Sequence, residues 1–142
     1  MEAGMRKEVK NAFGKVFITI SVDNVNRWVH TNWIGYLTED SVKAGALAYT
    51  QAVKEAGFSC VLNDTRQVVG SWNHSLEWVV NEWGPQAARA GVRHFAMITN
   101  PASFADSTAS SFFAHLKAFE VKGFDNIGDA SVWLRQFSLV TK

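Results

Sequence analysis

The sequence predicts one α/β domain of order β-β-α-β-α-β-α-β-α. Its sheet is five-stranded and mostly parallel, with an antiparallel N-terminal hairpin and helices packed on it. Three observations carry this expectation. Residues 15–34 alternate with period two and are interrupted by the turn pair Asp23-Asn24, which reads as a hairpin. From Thr38 onward, stripes of helical spacing and short apolar runs take turns strictly, a pattern that implies parallel strands joined by right-handed crossovers. The chain has 142 residues, 47% hydrophobic and 19% charged, which suits a single domain with a sizeable core.

The elements follow in order. Met1 to Phe13 are polar, carry Arg6, Lys7 and Lys10, and read as a ragged or short helical start to a core spanning residues 15–137. The strand Lys15–Val22 places Val16, Ile18, Ile20 and Val22 on one face, and the strand Arg27–Ile34 has Val29, Thr31 and Trp33 on one side. Thr38 is a good N-cap, Asp40 sits in the first turn, and Val42, Ala46, Tyr49 and Val53 form the buried stripe of a helix that Gly57 ends.

Phe58 to Leu62 is a continuous apolar run, expected to be a central parallel strand ending at Asn63-Asp64, and Thr65 to His74 reads as a loop broken at Gly70. Ser75 caps a second helix in this reading, with Leu76, Val80, Trp83, Ala87 and Ala90 inward, and Pro85 kinking it near Gly84 or restarting it. Val92–Thr99 is the next strand. Ser103 or Asp106 begins a third helix with the stripe Thr108, Phe112, Leu116 and Phe119. Val121–Phe124 is the last strand, and Asp125 or Asn126 caps a helix that turns Ala130, Trp133 or Leu134, and Phe137 inward.

Composition narrows the function. A net charge of +1 excludes a strongly basic nucleic-acid binder that relies on general phosphate attraction. The single cysteine, Cys60, allows neither an internal disulfide nor a zinc site of several thiolates, and inside an apolar strand it reads as a small hydrophobe. No apolar run reaches the roughly 18 residues of a membrane span, so a cytoplasmic protein, at most peripheral to a membrane, is the expectation. No P-loop, dinucleotide fingerprint or nucleophile elbow is present. His30, His74, His94 and His115 share no ligand spacing, so no metal, cofactor or catalytic residue is assigned and no enzyme is expected.

Three stretches carry a family resemblance. They are Trp33-Ile34-Gly35 closing the second strand, Val61-Leu62-Asn63-Asp64-Thr65-Arg66 after the first long helix, and Gly123-Phe124-Asp125 followed by Asp129-Ala130-Ser131-Val132-Trp133-Leu134. With them, residues 15–137 resemble the SpoIIAA-like or STAS-type domains, in particular small bacterial STAS-like proteins, a fold related to CRAL–TRIO lipid-binding domains. The resemblance implies a regulatory or binding module. Anti-sigma-antagonist members carry an Asp-Ser-Ser-Gly-like stretch with a phosphorylatable Ser. Here the matching text is Asn63-Asp64-Thr65-Arg66, which leaves Ser75 as the nearest phosphorylation candidate, and Ser75 is equally a plain N-cap.

Candidate binding residues come from the carboxyl edge of the sheet, where α/β folds hold ligands. That edge gathers Trp33, Gly35, Asn63, Asp64, Arg66, Thr99 and Asn100. Arg66 can hold an anionic head group or simply pair with Asp64. Six Trp, ten Phe and two Tyr make the chain rich in rings. Trp72 lies in a polar loop and Trp78 points away from the buried stripe of the second helix, so the two either form an exposed apolar patch or fold inward. Phe104, Phe112 and Phe113 line the same region or fill the core. The reading is a non-catalytic module that takes a hydrophobic small molecule, a lipid or a membrane surface through the segment Trp72–Trp83. The alternative is a protein-interaction or homodimer domain.

Overall fold

Alternating apolar residues place two strands side by side at the start of the chain, and the rest of the sheet grows from them. The structure, a computed structural model, describes residues 6–103 and 105–139, with only the backbone of 105–107. The strands are β1 (Arg6–Lys10), β2 (Val16–Asp23), β3 (Trp28–Gly35), β4 (Cys60–Val68), β5 (His94–Ile98) and β6 (Glu120–Phe124), and they lie in the sheet in that sequence order. β1, β2 and β3 pair antiparallel, and β3 through β6 pair parallel. The β2–β3 turn is closed by Asp23, whose Oδ1 accepts from the amides of Val25 and Asn26 at 2.9 and 2.8 Å.

The sheet therefore has six strands, one more than the sequence suggests. The added strand is β1, read above as a ragged or helical start. It is an outer strand with Val9 as its one apolar residue, so it shows no hydrophobic alternation, and its main-chain pairing with β2 holds it. Charged side chains on such an edge discourage pairing with another molecule.

The helices divide between the faces. α1 (Glu39–Ala56) begins where Thr38 Oγ1 accepts from the Ser41 amide at 3.0 Å and ends on Gly57 at φ +73°. A helical run follows β4: a 3₁₀ turn (Asn73–Ser75), α2 (Leu76–Trp78), a π-helical turn (Val79–Trp83) and α3 (Gly84–Ala90). With α4 (Ala105–His115), these pack on one face around Phe17, Val29, Trp33, Tyr49, Trp83 and Phe112. The other face is covered by α5 (Ile127–Ser138), whose Ala130 and Leu134 meet Trp28, Cys60, Leu62 and Ile98. Asn126 caps α5 by accepting from the Asp129 amide at 2.8 Å.

Three further expectations change. β4 does not stop at Leu62 but runs to Val68, because β3 and β5 on its two sides supply hydrogen bonds that its polar text does not advertise. Ser75 makes no capping hydrogen bond; its Oγ lies 2.7 Å from His74 Nδ1 instead. Pro85 lies in the first turn of α3, where the helical run starts afresh after a π turn. In the π turn the Gly84 amide bonds the Val79 carbonyl five residues back, and this turn buries Val79 rather than Val80. Phe104 lies outside the described residues, as do the side chain of Asp106 and the first five residues.

Candidate ligand-binding cavity

Strand alternation decides what the candidate residues share. Because β4 is a strand through Val68, Asn63 and Asp64 must point to opposite faces. Asn63 joins the face of α1, where its Oδ1 accepts from Thr31 Oγ1 and, at 2.8 Å, from Trp33 Nε1. Asp64 points to the other face and holds Arg66 through two contacts, Nε to Oδ1 at 3.0 Å and Nη2 to Oδ2 at 2.7 Å. That bond raises the pKa of the guanidinium. The pair is a clasp along one strand, not a loop brace.

On the α1 face, the helices leave an apolar cavity of about 40 Å³ over the middle of the sheet. This exceeds the roughly 10–15 Å³ that one water molecule needs. Trp33 and Tyr49 form one wall, Trp72 and Phe112 another, and Val79 and Trp83 of the π turn a third. A β-bulge helps to shape it. β4 carries one residue more than β3 between the pairs Asn32–Asp64 and Ile34–Gln67, and the extra residue returns Val68 to the cavity side. Every lining residue is buried except Leu37, which is half-buried, so the mouth lies at Leu37.

The walls are held by rings and a few polar ties. Trp83 stands edge-on to Tyr49, Phe95 and Phe119 at centroid distances of 5.8, 5.5 and 5.6 Å, and donates its indole N–H to Thr50 Oγ1 at 2.8 Å. Trp72 stands edge-on to Phe112 at 6.0 Å. His74 ties the segment to the mouth: its Nε2 donates to the Leu37 carbonyl at 2.8 Å, which leaves Nδ1 to accept from Ser75 Oγ. Thr108 of α4 donates to Asn73 Oδ1 at 2.8 Å.

The expected site is thus divided. Trp33 and Trp72 line the cavity. Asp64 and Arg66 lie across the sheet from it. Thr99 lies beside a separate depression with Asp125 and Asp129. Trp78 is half-buried, with Lys43 Nζ 5.8 Å from its ring, and Trp72 is 7% exposed, so the two do not form an exposed aromatic patch. Ser75, at 1% exposure, is buried where it stands. Tyr49 is the residue sequence reasoning passed over. It falls on the buried stripe of α1 and reads as core, and the only signal was a hydroxyl on an otherwise apolar face. Among the described residues, no three His, Cys, Asp or Glu side chains come together to hold a metal ion. No helix there is long and apolar enough to cross a membrane.

The sheet order and the helices on both faces make an α/β domain of the SpoIIAA-like fold. A crystal structure of a DUF3478-family protein from Shewanella loihica PV-4, described as having that fold, superposes with a TM-score of 0.56 at 18% identity. The match covers 94% of this chain and 98% of that one. No protein-family profile matches the chain, and no curated protein does.

Proposed function

We propose that this protein is a binding module that takes an apolar small molecule, or one apolar end of a lipid, into the cavity beneath α1 and the π turn. The observation that supports this reading is the cavity itself. Concave, mostly aromatic sites with a few placed polar groups are where proteins hold small ligands. A volume of about 40 Å³ admits the end of a ligand and not a whole ring, so the rest of the molecule leaves past Leu37. The segment Trp72–Trp83, chosen from sequence as the binding element, serves here as a wall rather than an exposed aromatic surface. With Trp72 buried, membrane docking through Trp72 and Trp78 has no surface patch to support it.

Two variants test this. Ala46 lines the cavity and is buried, so Ala46→Leu fills it; Leu37→Trp plugs the mouth from a half-buried position. Native mass spectrometry with organic extraction of the purified protein is expected to show an apolar companion, or uptake of added decanol, in the parent protein. Both variants, checked for folding by circular dichroism, are expected to lose it. Equal uptake by the parent and both folded variants, or no uptake of any apolar probe, overturns the reading.

A further inference from the structure

On the cavity wall, the Asn63 NH2 group, the Tyr49 hydroxyl and the Trp72 indole N–H have no hydrogen-bond partner among the described residues. Trp33 Nε1–H can only donate, so the Asn63 atom that faces it is the oxygen, and this settles which way the amide points. That oxygen is already occupied by Trp33 and Thr31. The Asn63 NH2 group makes no hydrogen bond among the described residues, although the side chain is 3% exposed and lines the cavity. Tyr49 repeats the pattern. It is 4% exposed and lines the same cavity, and its hydroxyl has no hydrogen-bond partner among the described residues. Neither atom belongs with the fully enclosed orphans, which among the described residues are His30 Nε2, His94 Nδ1 and Ser138 Oγ, so each keeps some accessible surface, in a side chain that lines the cavity.

The chemistry of this set is rich in donors: the amide and indole N–H groups only donate, and the phenol can donate or accept. Asn63 Nδ2 offers only donors, and burial raises the pKa of the Tyr49 phenol, keeping its proton in place to donate as well. Thr65, also on the wall, already donates to the Ile98 carbonyl at 2.8 Å, and the Trp72 indole N–H is one more donor there. A buried donor left without an acceptor is costly, so the complementary ligand atom is an acceptor oxygen. Among the described residues no lining side chain carries a charge, and the only guanidinium of β4, Arg66, lies on the opposite face in the grip of Asp64. An ionised carboxylate entering the cavity would lose its hydration with no cation to replace it.

We infer that the cavity recognises an uncharged carbonyl at the end of an apolar chain, through Asn63 Nδ2 and Tyr49 Oη, and discriminates against the corresponding carboxylate. This rests on the binding-module reading above and adds the head group to it. A ketone, aldehyde, ester or amide end satisfies the donors, and the small cavity holds that end while the chain passes Leu37.

The test uses three probes of one shape. They are 2-hexanone, 2-methyl-1-hexene (a methylene in place of the oxygen) and pentanoate (an anionic oxygen in place of the methyl). Titrations are followed by the NMR signals of the indole N–H groups, among which Trp33 reports the head of the site. Tyr49→Phe removes only a hydroxyl that has no partner among the described residues, so its thermal midpoint is expected to equal or slightly exceed that of the parent. Tyr49→Phe is expected to weaken 2-hexanone by about tenfold, the loss of one hydrogen bond, and to leave 2-methyl-1-hexene unchanged. Pentanoate is expected to bind at least about tenfold more weakly than 2-hexanone to the parent protein, since burying an unpaired charge costs more than one such bond. Equal effects of Tyr49→Phe on ketone and alkene, or pentanoate binding as tightly as the ketone, overturn the head-group assignment while the binding reading stands. If neither ketone nor alkene shifts any indole signal, both fall, and the two donors serve trapped water.

Discussion

Gly45 shows how little room α1 leaves beside the cavity. A Cβ at that position would lie 2.5 Å from Trp33 Cη2 and 2.7 Å from Cζ3, and Trp33 is itself buried and bonded to Asn63. The ring cannot move away without breaking that bond and exposing the Asn63 oxygen. Gly45→Ala is therefore expected to destabilise the fold by roughly 1–3 kcal/mol in urea unfolding, the usual cost of an overpacked core. The ordinary gain of Ala over Gly in a helix interior, up to about 1 kcal/mol, is too small to offset a contact of this kind. A neutral or stabilising result would mean that Trp33 is not locked, and the wall of the cavity with it. Asn63 teaches a related lesson. In sequence it reads as a turn residue at a strand end; in the structure it is a buried amide with one end bonded and one end free.

Among the elements, α1 has its start most clearly written in the sequence. Thr38 supplies the cap, Glu39 and Asp40 lie in the first turn, and Gly57 closes the far end. Thr38→Ala is expected to cost about 1 kcal/mol of stability, with the loss confined to α1 in amide hydrogen exchange. Uniform loss of protection across the sheet would show instead that α1 unfolds only with the whole domain. The run between β4 and β5 was legible in part. Its helical character and the disturbance around Gly84-Pro85 follow from composition. The form of that disturbance, a π turn that carries Val79 and Trp83 to the cavity, depends on what packs above it: a Cβ at Gly84 would meet Leu116 Cδ1 at 2.6 Å.

At the scale of the whole molecule, two half-buried histidines link stability to pH. Burial lowers the pKa of His30, against the partial opposition of Asp64 and Asp23, and burial lowers that of His94 against Glu120, 3.4 Å from its Nε2. His94 also stacks on Phe137 at 3.7 Å and stands near Trp133, so the face under α5 holds it neutral. Below the ordinary histidine value of about 6.5, the unfolded chain binds protons that the fold resists. Stability is therefore present in full above that value and declines as pH falls toward the lowered folded values. The thermal midpoint is expected to drop between pH 7.5 and pH 5.5, and His94→Gln is expected to flatten that slope. A midpoint that rises on acidification would contradict the burial of both rings.

The sequence by itself determined the class of fold, the hairpin, the helices, most of the core and the cap at Thr38, and narrowed the last cap to Asp125 or Asn126. Each of these is a local matter, carried by period, cap chemistry or a run of apolar residues. The tertiary structure decided the sixth strand, the reach of β4, the π turn and the membership of the site. β1 and the second half of β4 are strands because neighbours offer them hydrogen bonds; β1 finds its neighbour in the next strand although its own text shows no alternation, and β4 finds β3 some thirty residues away. Once β4 is extended, alternation sends Asp64 and Arg66 to one face and Asn63 to the other, so residues adjacent in the text cannot share a site. The cavity arises where α1, the π turn and α4 close over the face that receives Asn63. A space between side chains from two helices, the π turn and three strands has no signature in any one of them.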